Sequence, residues 1–313
     1  MLDQVILIAA YVIGIPMYAL YLRLIFVLIT DRKQFNNTFF TLITLCGCAD
    51  CIYYPMSNML QRLPRYGFFC SIYGNFAIPT RLICLPLLVL CHLQLASLIG
   101  SFFLSINRFT SISISSNNEY RWTQFMPYVL LSMLILPLLA VSNLFVSRCY
   151  FLPAMRDHYL TYRLECEPIV VTFNYRIAQM FIGLIVAVPT LFFNTATFFR
   201  LAAQTSDTVR KNMDKHQVNF AVICLSRFIS DVAFVAYSFL SYLLSNNDIT
   251  DTPLRNVHFY FFTANDLLTL TPGVVILLSA KKLREAVFGK RIVKFYRSKS
   301  NSTLVVVSKN QIH

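Results

Sequence analysis

Seven long apolar runs, separated by short polar segments, fall near residues 5–29, 38–60, 80–112, 125–147, 176–200, 218–244 and 257–280. A helix needs about 20 apolar residues to cross the hydrocarbon core of a bilayer, and each run is long enough. In lipid the backbone must satisfy its own hydrogen bonds, so runs of this kind form helices. None shows the alternation of a barrel strand. The pattern predicts an all-α membrane protein, a seven-transmembrane helix bundle filling residues 1–297 without a soluble domain or internal repeat. After the seventh run, residues 281–290 read as a short amphipathic cytoplasmic helix, with Leu283, Ala286 and Val287 turned to lipid. Residues 298–313 read as a flexible cytoplasmic tail. The first run is too long for a signal-peptide core and is expected to stay as an uncleaved anchor.

Composition agrees with lipid as the solvent. The 313 residues are 57% hydrophobic and only 13% charged, where a soluble domain carries about 25% charge. Mean hydropathy is +0.59. The net charge of +13 is uneven along the chain. With the N-terminus outside, inner segments hold 17 Lys and Arg and outer segments hold 8. Positive charge sets orientation, so the N-terminus is expected outside and the C-terminus inside the plasma membrane. These charges sit in short loops beside membrane spans, where they attract anionic lipid. A nucleic-acid partner is not expected, since no domain face gathers them. The sequons at Asn36 and Asn301 fall on the inner side and are expected to stay unmodified.

Nine cysteines are present. Cys46, Cys48, Cys51, Cys91 and Cys224 lie within spans and read as small packing residues. No metal and no cofactor is expected. Cys70, Cys84, Cys149 and Cys166 lie at the outer boundary, where disulfides persist. Spacing leaves three full pairings open. The favoured bridge is Cys84 to Cys166, which would pin the second outer loop over the bundle.

Ionisable groups inside spans are costly and mark function by default. Arg23 is close enough to the inner end of span 1 to snorkel. Asp50, half-way through span 2, needs a partner or a cation. Arg227 and Asp231 are four residues apart in span 6 and share a helical face, so they read as a pair. Asp266 in span 7 precedes Pro272-Gly273, where a proline kink would supply a hinge. His92 reads as a packing residue of span 3. Span 3 ends in Ser105-Ile106-Asn107-Arg108-Phe109-Thr110, with an arginine at its inner end.

The seven spans, Asn107-Arg108-Phe109, Ala49-Asp50 and Thr271-Pro272 resemble the rhodopsin-like receptor plan. Gly14-Ile15-Pro16-Met17-Tyr18, Phe102 through Thr110, and Glu119-Tyr120-Arg121-Trp122 narrow the resemblance to nematode serpentine chemoreceptors of the gamma superfamily, class V in particular. The likeness spans nearly the whole chain. Asn107 stands where the family plan usually has an acid, Val275 where a tyrosine is common, and span 6 lacks a proline. The resemblance implies a G-protein-coupled chemosensory receptor in a sensory neuron, located in the cilium. Its partners would be a heterotrimeric G protein, a small-molecule ligand and membrane lipid.

On that reading, four residues ahead of span 1 leave no ectodomain for a protein ligand, so a small molecule is expected within the bundle. The expected lining is Leu87, Cys91, Gln94, Phe234, Tyr237, Phe261 and Asn265, mostly apolar with a few polar groups. Asn107 and Arg108, with the basic residues Arg200, Arg210, Lys211 and Lys215, are the expected G-protein contact. Arg108 would hold the inner ends together at rest. A transporter coupling through intramembrane charge is the alternative, but the matching broken halves of that class are absent from the sequence. The dispersed histidines, without HExxH or GxSxG, argue against an intramembrane enzyme.

Overall fold

A computed structural model describes residues 2–31, 34–113, 117–156, 159–167, 175–205, 215–246, 265 and 268–288. Among these, six helices are long and apolar enough to span a membrane. They are α1 (Leu2–Thr30), α2 (Thr38–Ser57), α3 (Cys84–Ser113), α4 (Asn118–Ala140), α5 (Tyr175–Thr205) and α6 (Lys215–Asn246). A π turn, Asn58–Arg62, and a last turn, Leu63–Arg65, extend α2. A shorter apolar helix, α7 (Leu268–Ser279), follows, and the start of the expected seventh run lies outside the described residues. The chain closes with α8 (Lys281–Phe288).

α4 runs over Asn118–Ala140 rather than 125–147. Its first turn is polar, which hydropathy misses, but Glu119 accepts from the Thr38 backbone N–H at 2.6 Å and from the Thr38 hydroxyl at 3.1 Å. Those bonds satisfy the open end of α2 and anchor α4 early. The apolar stretch after Ala140 leaves the helix for a 3₁₀ turn, Ser142–Phe145.

An antiparallel hairpin, β1 (Arg148–Arg156) and β2 (Tyr159–Glu167), is added to the all-α bundle. Backbone bonds join Thr80 to Cys149 and Phe151 to Phe76, so the hairpin is stitched to the chain entering α3. Cys149 and Cys166 face each other in the strand register and form a disulfide. This corrects the expected Cys84–Cys166 bridge. Cys84 keeps its thiol, 3.1 Å from Cys149 Sγ and also 3.1 Å from the Ser147 carbonyl. Strand register places Cys149 directly opposite Cys166.

Two apolar cores stack along the bundle. One, at the hairpin end, joins Tyr53, Leu87, Cys91, Leu95, Leu144, Phe151 and Phe234. The other, at the opposite end, joins Leu24, Phe39, Leu42, Met133, Ile223, Leu277 and Leu283. Leu283 and Val287 of α8 are fully buried in that second core. This corrects their expected lipid-facing role: α8 packs its apolar face on the bundle, and Arg284 caps α7 through the Leu277 and Leu278 carbonyls. Arg23 is exposed, as snorkelling requires.

Candidate functional site

Between the two cores lies a layer of polar side chains. Asp50 of α2 receives both guanidinium nitrogens of Arg227 of α6, at 2.6 and 3.2 Å. Ser97 of α3 donates to Asp50 Oδ1 at 2.7 Å, and Tyr21 of α1 donates to Oδ2 at 2.9 Å. Arg227 also donates to Tyr21 Oη at 3.2 Å and touches Ser97 Oγ. Four helices therefore meet at one bidentate ion pair, with both partners buried. A bidentate guanidinium–carboxylate pair is the strong, geometrically specific form of such contacts.

This arrangement changes two expectations. Arg227 and Asp231 share a face of α6 as expected, but the ion pair runs from Arg227 to Asp50. Asp231 instead accepts from Ser101 of α3 at 2.5 Å. The carboxylate of Asp50, read as a possible cation site, holds a cation supplied by the chain itself. Asp266 lies outside the described residues.

Glycine permits the close approach around this layer. A Cβ added at Gly273 of α7 would lie 2.5 Å from the Tyr21 ring. The absence of a side chain there lets α7 press Tyr21 towards Asp50. Pro272, beside it, is buried within α7.

At the end remote from the hairpin, Arg108 is also buried, but its surroundings differ. Its guanidinium carbon lies 3.4 Å from the centroid of Phe39 on α2 and 4.3 Å from that of Phe220 on α6. The two rings pack edge to face at 4.6 Å. Among the described residues no carboxylate makes an ion pair with Arg108, and its Nε has no hydrogen-bond partner. The cation is held by π faces. Next to it Asn107 donates to the Thr38 hydroxyl at 3.1 Å, continuing the chain to Glu119. Trp122 of α4 donates to Thr110 at 2.9 Å, so the segment after Arg108 is also tied down.

The other expected site residues divide by depth. Leu87, Cys91 and Phe234 are buried together in the hairpin-end core, and Tyr237 packs against it. Gln94 is half-buried on α3. Asn265 is buried, and its Nδ2 has no hydrogen-bond partner. Phe261 lies outside the described residues. Arg200 is exposed near the end of α5, on the Arg108 side. Lys215 opens α6, and Arg210 and Lys211 lie outside the described residues.

Sequence reasoning missed Tyr21, Ser97, Ser101, Phe39 and Phe220. A faint signal existed for the serines: Ser97, Ser101 and Ser105 repeat every four residues along an apolar helix. That spacing lines one face with hydroxyls. The aromatics gave none, because the chain is rich in phenylalanine.

An apolar helical bundle with an internal ion-pair layer and a caged arginine ending its third helix has the architecture of a serpentine membrane receptor. The chain belongs to the Srg family of chemoreceptors, whose model matches residues 7–287. It is 22% identical over 300 residues to serpentine receptor class gamma-2 of Caenorhabditis elegans, covering 93% of this chain and 85% of that one. Serpentine receptor class gamma-14 of the same nematode is 22% identical over 256 residues, covering 81% and 74%. Family membership implies the seven-helix plan and a multi-pass membrane protein of chemosensory, receptor type. The resemblance read from the sequence to the gamma superfamily holds.

Proposed function

We propose that the chain is a G-protein-coupled chemosensory receptor for a small environmental molecule. The N-terminus and the hairpin face outward, the C-terminus faces the cytoplasm, and the receptor works in the plasma membrane of a sensory cilium. The ligand binds among the hairpin-side halves of α3, α5, α6 and α7, near Leu87, Cys91, Gln94, Phe234, Tyr237 and Asn265, with Phe261 completing the wall. The heterotrimeric G protein engages Asn107 and Arg108, with Arg200, Arg210, Lys211 and Lys215 around them.

The observation that carries this reading is the caging of Arg108 by one ring from α2 and one from α6. A cation held by aromatic faces at a junction of three helices leaves the cage when α6 moves away from α2. It then becomes available to a partner at that end. A ligand drives this only if it binds the parted arrangement more tightly than the closed one. The test is Arg108→Ala at matched surface density, with nucleotide exchange on co-expressed Gα subunits as readout. Basal exchange should fall to that of cells lacking the receptor. Unchanged exchange above that background would remove Arg108 from the role.

A further inference from the structure

The hairpin-side half of the bundle holds buried polar groups that the ion-pair layer does not use. Gln179 of α5, Ser238 of α6 and Asn265, ahead of α7, are 7%, 3% and 2% exposed. Gln179 Nε2, Ser238 Oγ and Asn265 Nδ2 have no hydrogen-bond partner. A buried polar group left unpaired is costly, and native interiors rarely keep one without a reason.

Three contacts relate the levels of these residues. The Ser101–Asp231 bond pins α3 to α6. Seven residues nearer the hairpin end on each helix stand Gln94 and Ser238. Seven residues are almost two full turns, so both lie on the helix faces that carry the pinned pair. α5 meets α6 where a Cβ added at Gly183 would lie 2.8 Å from Val235. Gln179 and Ser238 lie about one turn beyond that contact on their own helices. Ser230 of α6 donates to the Leu268 carbonyl at 2.7 Å, which pins α7. Asn265, three residues before Leu268, lies about one turn closer to the hairpin end and more than one turn below Ser238.

We infer that Gln94, Gln179, Ser238 and Asn265 form one staggered hydrogen-bonding ring that takes an uncharged ligand with an apolar body and two or more acceptor oxygens, such as an ester or lactone. The inference rests on the receptor reading above and adds the ligand class. The unpaired atoms set the chemistry: two are carboxamide N–H groups and one is a hydroxyl, so the ring offers donors. The charges closest to it are committed, Arg227 to Asp50 and Asp231 to Ser101. Asp231 lies about two turns below Ser238. The walls are the apolar side chains of the hairpin-end core.

The test uses purified full-length receptor in lipid nanodiscs and four photoreactive probes of equal chain length: a lactone, a carboxylate, an amine and a hydrocarbon. Saturable labelling is mapped to peptides by mass spectrometry. The lactone should label the peptides carrying Gln179, Ser238 or Asn265. Gln179→Leu and Asn265→Leu should each weaken that labelling about tenfold, as loss of a buried ligand hydrogen bond does. Without probe, both variants should melt at or above the parent temperature, because each removes an unpaired buried polar group. Lower melting would show that the amides serve the fold, and would overturn the inference. Preferential bundle labelling by the carboxylate, amine or hydrocarbon would also overturn it and leave the receptor reading standing. No saturable bundle labelling by any probe would overturn both.

Discussion

Arg227 and Arg108 are both buried cations, yet different chemistry holds them. Arg227 is clamped by a carboxylate, a serine and a tyrosine from three other helices. Arg108 rests between two phenyl rings and leaves one nitrogen unpaired. The first arrangement is closed: every group in it has a partner, and removing either ion strands the other. The second has no counter-charge among the described residues, and in the proposed function it is the one that opens. One region joins four helices through a buried ion pair, and the other is the proposed switch.

Breaking the closed region should have the largest effect. Arg227→Leu leaves Asp50 buried without its counter-charge and should cost about 3–5 kcal/mol. Surface expression should collapse, and the purified protein should melt several degrees lower. The double variant Asp50→Leu with Arg227→Leu should recover most of that loss, since no lone charge remains. A double variant no better than the single would mean that the pair acts through something other than charge balance.

Opening the cage should cost less. Phe39→Leu keeps an apolar side chain but removes one π face, for a loss of about 2 kcal/mol or less. Thermal unfolding of Phe39→Leu beside Arg227→Leu measures the contrast directly. Gly273→Val tests how closely the regions are coupled, because it drives a side chain into Tyr21 and should cost about 1–3 kcal/mol by overpacking. Combined with Asp50→Leu/Arg227→Leu, it should cost less than alone, and a thermal double-mutant cycle reads that coupling. The smallest effect is expected from Glu119→Ala, about 1 kcal/mol, because it removes only the acceptor at the start of α2. It should loosen the Asn107–Thr38 neighbourhood and leave the Asp50 layer intact, which hydrogen exchange at α2 can resolve by residue.

The contrast was half visible in the sequence. Asp50, Arg108 and Arg227 stand out in any reading because charge is scarce in apolar runs. Their partners do not. Asp231 is close to Arg227 in sequence, but the carboxylate that wins lies 177 residues away, and only the packing of α2 and α6 against α3 decides between them. Phe39 and Phe220 look like ordinary core until an arginine is found between them. The spans were legible because lipid demands length and apolarity, whereas the start of α4 is tied by long-range bonds that Thr38 donates to Glu119. The Cys149–Cys166 disulfide depends on strand register, which an apolar/polar pattern over a membrane chain does not encode.

The most direct test of the contrast is basal nucleotide exchange on co-expressed Gα subunits by the Phe39→Leu/Phe220→Leu double variant at matched surface density. If the rings hold Arg108 back, exchange should rise above that of the parent receptor without added ligand. Exchange equal to or below the parent, at equal surface density, would contradict a cage that restrains the arginine.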